Sequence, residues 1–323
     1  MKTNQTPNSS SIVAVKNAEL VQSLAANESR LPSPIDLDVR WAQQIKLAGM
    51  QWKNYDVLPA SVELTNTGET VSLSARWYLG SRPSICGGPL ANRRYVFSDL
   101  HFHWGRTALE GSEHTVDGLR MPLELHMVHF DKKLGDREAA RSVPGGLLCV
   151  VYLFRLQPAA SPFFAPIVAG LGRVLFPGSQ VKLDPFPLST LVHTFSDEYF
   201  LYWGSIRSHA SSSPRLVQML WMVSRAQERL SYAQLKRFNL LLDHRMRLLE
   251  PTPSTSVIPV PGRHLFHVNP RTPMARATLS HVPPPKYSQT RWPEQNAATE
   301  IVMLRQFILN SRIRAKGGVS CKV

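Results

Sequence analysis

Apolar and polar residues alternate with a period of two along much of the chain, the side-chain repeat of a β-strand. Leu100-His101-Phe102-His103-Trp104 follows this pattern and places His101 and His103 on one face. Glu124-Leu125-His126-Met127-Val128 does the same and aligns Glu124, His126 and Val128. Gly105, Gly111 and Gly118 lie between, so the chain can reverse and lay the two strands side by side. Alternation from Val62 to Tyr78, interrupted by Asn66-Thr67-Gly68, predicts two strands around a turn or bulge. Leu147 to Phe154 is a continuous apolar run of strand length and predicts a central buried strand, with Cys149 as a small buried hydrophobe. Arg215 to Val223 predicts another strand. Ile35 and Leu37, entered from Pro34, suit an edge strand. Helical signals are fewer. A short helix is expected around Ala18 to Ala26, and residues 156 to 200 carry helix-like material punctuated by Pro and Gly. Ser231-Tyr232-Ala233-Gln234 is a capping box ahead of an apolar stripe at Leu235, Phe238 and Leu242.

Composition narrows the class. The 323 residues are 43% hydrophobic and 19% charged, enough for a globular core. A formal charge of +14 favours acidic partners without naming one. Residues 251 to 323 hold ten Lys/Arg against two Asp/Glu, over half of that excess. There, residues 296 to 314 are expected to form a basic amphipathic helix beyond the linker-like Val282-Pro283-Pro284-Pro285-Lys286. Such a tail suits an acidic partner or membrane surface, or a solvated helix docked on the body. No nucleic-acid-binding motif is present, so no nucleic acid is expected. No run of 18 apolar residues suggests a membrane span. Cys86, Cys149 and Cys321 are scattered and imply no disulfide framework. With no signal-like apolar run at the N-terminus, the expectation is a cytoplasmic monomer.

The chemistry sits on the paired strands. Two histidines on one strand and a third on its neighbour make a three-nitrogen cluster, the ligand set of a catalytic zinc that keeps its fourth position for water. By itself the His-x-His pattern also fits half-buried structural histidines.

Three blocks go further: LHFHWG (Leu100 to Gly105), GSEHTVD (Gly111 to Asp117) and LELHMVH (Leu123 to His129) closely resemble the alpha-class carbonic anhydrases. Ser33-Pro34-Ile35-Asp36-Leu37, Cys86-Gly87-Gly88-Pro89-Leu90, Tyr202-Trp203 and Asn269-Pro270-Arg271-Thr272-Pro273 extend the resemblance. It implies a mainly β protein with peripheral helices (α+β), built on a large, mostly antiparallel central sheet over residues 32–278. Residues 1–31 are then a polar leader, partly disordered, and residues 279–323 a basic extension. The resemblance also implies zinc on His101, His103 and His126 and the reversible hydration of carbon dioxide to bicarbonate and a proton. Glu113 and a gatekeeper hydroxyl, Ser211, would orient the reacting hydroxide. Asp99, Glu124 and His114 would support the ligands, and Val128, Val150 and Trp221 would line the substrate pocket. Where the family often has a proton-shuttling histidine stands Glu69, and the gatekeeper loop is serine-rich, so slow turnover is expected. The alternative is a weak or inactive relative that serves as a binding module.

Overall fold

The computed structural model describes residues 9–196, 198–208, 215–250 and 262–268. The chain divides after Leu279 into two units. The second, with the predicted tail helix, lies outside the described residues, as do the Asn269–Pro273 block and Ser211.

A 13-stranded sheet forms the body. Its path runs through Gln43–Ile45, Phe266–Val268, Tyr199–Ser208, Arg215–Ser224, Leu147–Gln157, Leu123–Asp131, Arg94–Trp104, Val71–Arg76, Ser61–Asn66 and Gln180–Leu183. Gln43–Ile45 with Phe266–Val268, and Leu147–Gln157 with Arg215–Ser224 and Glu228–Ser231, pair in parallel; the other described pairs are antiparallel. The helices are short and peripheral, as in Ala165–Leu171 and Tyr232–Phe238. The capping box closes as expected: Gln234 N donates to Ser231 Oγ and Ser231 N to Gln234 Oε1.

Alternation sorts residues onto the two faces. Leu125, Met127, Leu148, Val150, Tyr152 and Phe154 join the larger core on one face, and Cys149, Val151, Leu153, Tyr202, Trp221 and Val223 a smaller core on the other. Strand Leu123–Asp131 is buried along its whole length because Arg94–Trp104 and Leu147–Gln157 flank it and both faces are covered.

Three expectations change. From Ser9 onward the supposed leader is helix, Ser9–Ser23 and then Ala25–Glu28. Ala18, Val21 and Ala25 belong to the larger core, and Trp203 Nε1 donates to Val21 O at 2.6 Å. The helix buries small residues, so the segment reads as polar although it packs. Second, Ile35 and Leu37 form no edge strand. Pro32 and Asp36 make single bridges to Ser205 and Thr115 while Ile35 and Leu37 fill the smaller core. Third, the strand that carries His101 and His103 begins at Arg94 and is interrupted by a register shift between Phe97 and Asp99.

Candidate metal centre

Register brings the histidines together. His101 lies directly opposite His126, and His103 opposite Glu124. Side chains directly opposite on one face are neighbours. The ligand atoms of His101, His103 and His126 all lie within 4.8 Å of one another. Three imidazoles converging from two adjacent strands fit zinc's donor preference, and the rigid sheet holds them with no loop involved.

His126 is oriented from behind. Its Nε2 donates to Glu124 Oε1 at 2.5 Å, which leaves Nδ1 with the free lone pair. The same Oε1 accepts from His114 Nδ1 at 2.6 Å, and Glu124 Oε2 accepts from His114 N at 2.9 Å. His114 Nε2 in turn accepts from the Tyr202 hydroxyl at 2.7 Å. His114, Glu124 and His126 also approach within 4.8 Å as a set. Their facing atoms are already joined by these hydrogen bonds, so the trio on His101, His103 and His126 is the metal candidate.

Electrostatics agree. Burial would raise the Glu124 carboxyl, but the charges and hydrogen bonds of His114 and His126 hold it well below its ordinary value. Burial opposes charge on His126 too, yet Glu124 holds it above the usual histidine value. His101 lies well below the usual value, through burial first and then the charges of His126 and His103.

Glu113 reaches the centre from the intervening loop, its Oε1 3.5 Å from His103 Nδ1 and its Oε2 3.9 Å from His126 Nε2. Asp99 is occupied elsewhere: Arg137 Nη1 donates to its Oδ2 at 2.5 Å. Glu69 is exposed on the turn after Gly68, where its backbone N donates to Thr67 Oγ1 at 3.3 Å.

One pocket residue needs correction. Val128 pairs with Cys149, which pairs with Trp221, all on the histidine face. Val150 pairs with Met127 and faces the opposite core. The sequence pattern left this open because the run Leu147 to Phe154 is apolar throughout and gives alternation no contrast; counting strand register from His126 would have found Cys149. Trp221 packs its ring 5.2 Å from both His126 and His114.

The chain matches the family model described as eukaryotic-type carbonic anhydrase over residues 21–252. It is 32% identical to mouse carbonic anhydrase 15 over 229 residues, 69% of each chain. To human carbonic anhydrase 6 it is 27% identical over 243 residues, 73% of this chain and 75% of the relative. Mouse carbonic anhydrase 7 is 34% identical over 183 residues, 56% of this chain and 66% of the relative. These matches overturn the cytoplasmic expectation, because carbonic anhydrases 15 and 6 point away from that compartment. Scattered cysteines argue only against a disulfide framework, and a framework is not a compartment. The His101–His103–His126 cluster, the buried Glu124 behind it and the match across 21–252 lead to one statement: this chain belongs to the eukaryotic-type carbonic anhydrase family, whose chemistry is the hydration of carbon dioxide.

Proposed function

We propose that this chain itself hydrates carbon dioxide reversibly to bicarbonate and a proton, with zinc on His101, His103 and His126. The observation that carries the proposal is the convergence of those three imidazoles within 4.8 Å, one of them fixed by the buried Glu124. Bound zinc would supply a water that ionises near pH 7. Glu124 keeps His126 in the tautomer that presents Nδ1, and His114 and Tyr202 keep Glu124 in place. Glu113, beside two of the three ligands, accepts the hydrogen bond that orients the reacting oxygen, through the hydroxyl of Ser211. Val128, Cys149 and Trp221 form the apolar floor on which carbon dioxide rests and from which water is kept out.

Turnover is modest in this reading. Glu69 stands where the family often has a proton-shuttling histidine, and histidine is the side chain whose charge changes near neutral pH. That same residue favours the second reading, a zinc-loaded binding module with little activity. Stopped-flow hydration on protein of known zinc content, beside His126→Ala, decides between them. Zinc-dependent turnover lost in the variant supports the enzyme; one zinc per chain with a rate no greater than buffer would leave the binding module.

A further inference from the structure

Two loops carry large apolar side chains that the core does not use. Leu58 lies between strands Met50–Lys53 and Ser61–Asn66, and Tyr78 and Leu79 follow strand Val71–Arg76. Leu58 is 56% exposed, Tyr78 75% and Leu79 completely. The loops are fastened to each other at the residues beside these three. Trp77 Nε1 donates to Val57 O at 3.4 Å, Ala60 N to Arg76 O at 2.7 Å, and Asn54 Nδ2 to Gly80 O at 3.3 Å. Trp77 also sets its ring edge-on to the buried Phe97, with 5.5 Å between centres. Leu58 and the Tyr78–Leu79 tip therefore stand on one braced platform.

Single exposed apolar residues need no explanation, but three gathered on one rigid platform mark a contact surface. Its surroundings are basic: across residues 50–60 and 74–84, Lys53, Arg76 and Arg82 are exposed against one exposed acid, Asp56. The whole chain adds a formal charge of +14. We infer that Leu58, Tyr78 and Leu79, with Lys53 and Arg76 beside them, seat this protein on an anionic lipid surface. A bilayer face meets both halves of the pattern. The leucines and the Tyr78 ring enter the acyl boundary, while the tyrosine hydroxyl and the cations stay among the headgroups. Among the described residues no helix is long and apolar enough to cross a membrane, so this contact lies on the surface and does not span it. Strand Val71–Arg76 leads from the platform back to Ser72, which pairs with His101. A seated chain thus holds its histidine cluster four strand residues, about 13 Å, from the loop that touches lipid. The inference does not depend on zinc being bound or on the chain being active.

The test is co-sedimentation of the full chain with phosphatidylcholine vesicles and with vesicles that also contain phosphatidylserine, at low and raised salt. Wild type should pellet with the anionic vesicles about tenfold more tightly than with neutral ones, and release as salt rises. The double change Tyr78→Ser with Leu79→Ser should weaken that binding about tenfold while the unfolding midpoint stays put, since neither side chain is part of the core. If the double variant does not fold, Leu79→Ser alone should still weaken it several-fold. Lys53→Gln with Arg76→Gln should flatten the salt dependence. Equal binding by wild type and the Tyr78/Leu79 variant would assign retention to other basic parts of the chain and overturn the inference. So would no retention on either kind of vesicle. Self-association of wild type that the variant loses, without vesicle binding, would also overturn it and make a second copy the occupant.

Discussion

Arg137 Nη1 lies 2.5 Å from Asp99 Oδ2, so the carboxylate two residues before His101 carries its own counter-charge. From sequence, Asp99 reads as a bare negative charge that would enrich a ligand and raise the pKa of a bound water. Arg137 offsets that effect, and its charge reaches His101, which it helps to hold down. Arg137→Ala should raise the midpoint of the pH–activity profile by about half a unit to one unit, and a further Asp99→Asn should bring it back. A profile unmoved by the first change would show that the pair has no influence on the centre.

In the proposed reading, Glu69 stands where the proton leaves the site. Glu69→His should speed turnover several-fold in dilute buffer, with a smaller gain in concentrated buffer, because mobile buffer takes over the relay. Hydration rates measured across a buffer series check this. An equal gain at every buffer strength would point to a general electrostatic effect.

His129 predicts how the protein behaves in acid. It is buried on the larger-core side, hydrogen bonded to the Tyr55 hydroxyl and to Met127 O, and burial pushes it down to about 3. An unfolded histidine titrates near 6.5. The unfolded chain therefore gains a proton that the folded chain refuses, and stability falls as pH drops from 6.5 towards 3. Between pH 7.5 and 5 this one group should cost about 2 kcal/mol. His129→Asn, although less stable at neutral pH, should lose less on acidification by that amount, as read from urea unfolding at the two pH values.

Cys149 and Val150 separate pocket from core. Cys149→Val adds only about one methyl group and should cost about 1–2 kcal/mol with activity retained. Cys149→Phe fills the floor beneath the histidines and should raise KM or abolish turnover. Val150→Phe overpacks the opposite core, should cost about 1–3 kcal/mol, and should leave KM unchanged. If the two Phe variants had the same effect on KM, the facing deduced from register would be wrong.

The paired strands were legible because histidines alternate with Leu100, Phe102 and Trp104, so one face is polar against an apolar one. Ser231 and Gln234 were legible because a capping box is a local contact. The ion pair of Arg137 with Asp99 was not, since it joins residues 38 positions apart and no period encodes it. Nor was the packing of the first helix, whose buried Ala18 and Val21 are too small to outweigh the Ser, Asn and Gln around them.

The three-residue strand Phe266–Val268 is inserted between Gln43–Ile45 and Tyr199–Ser208. A ribosome delivers the first of these long before the last. Until residue 268 emerges, Tyr199–Ser208 keeps part of an unpaired edge, and His264 is not yet there to hold Glu28. A chain that stops even slightly short is left with a sticky margin and loose early helices. Completion of the native state waits on nearly the whole described sequence, and a slow last step after synthesis is the natural result.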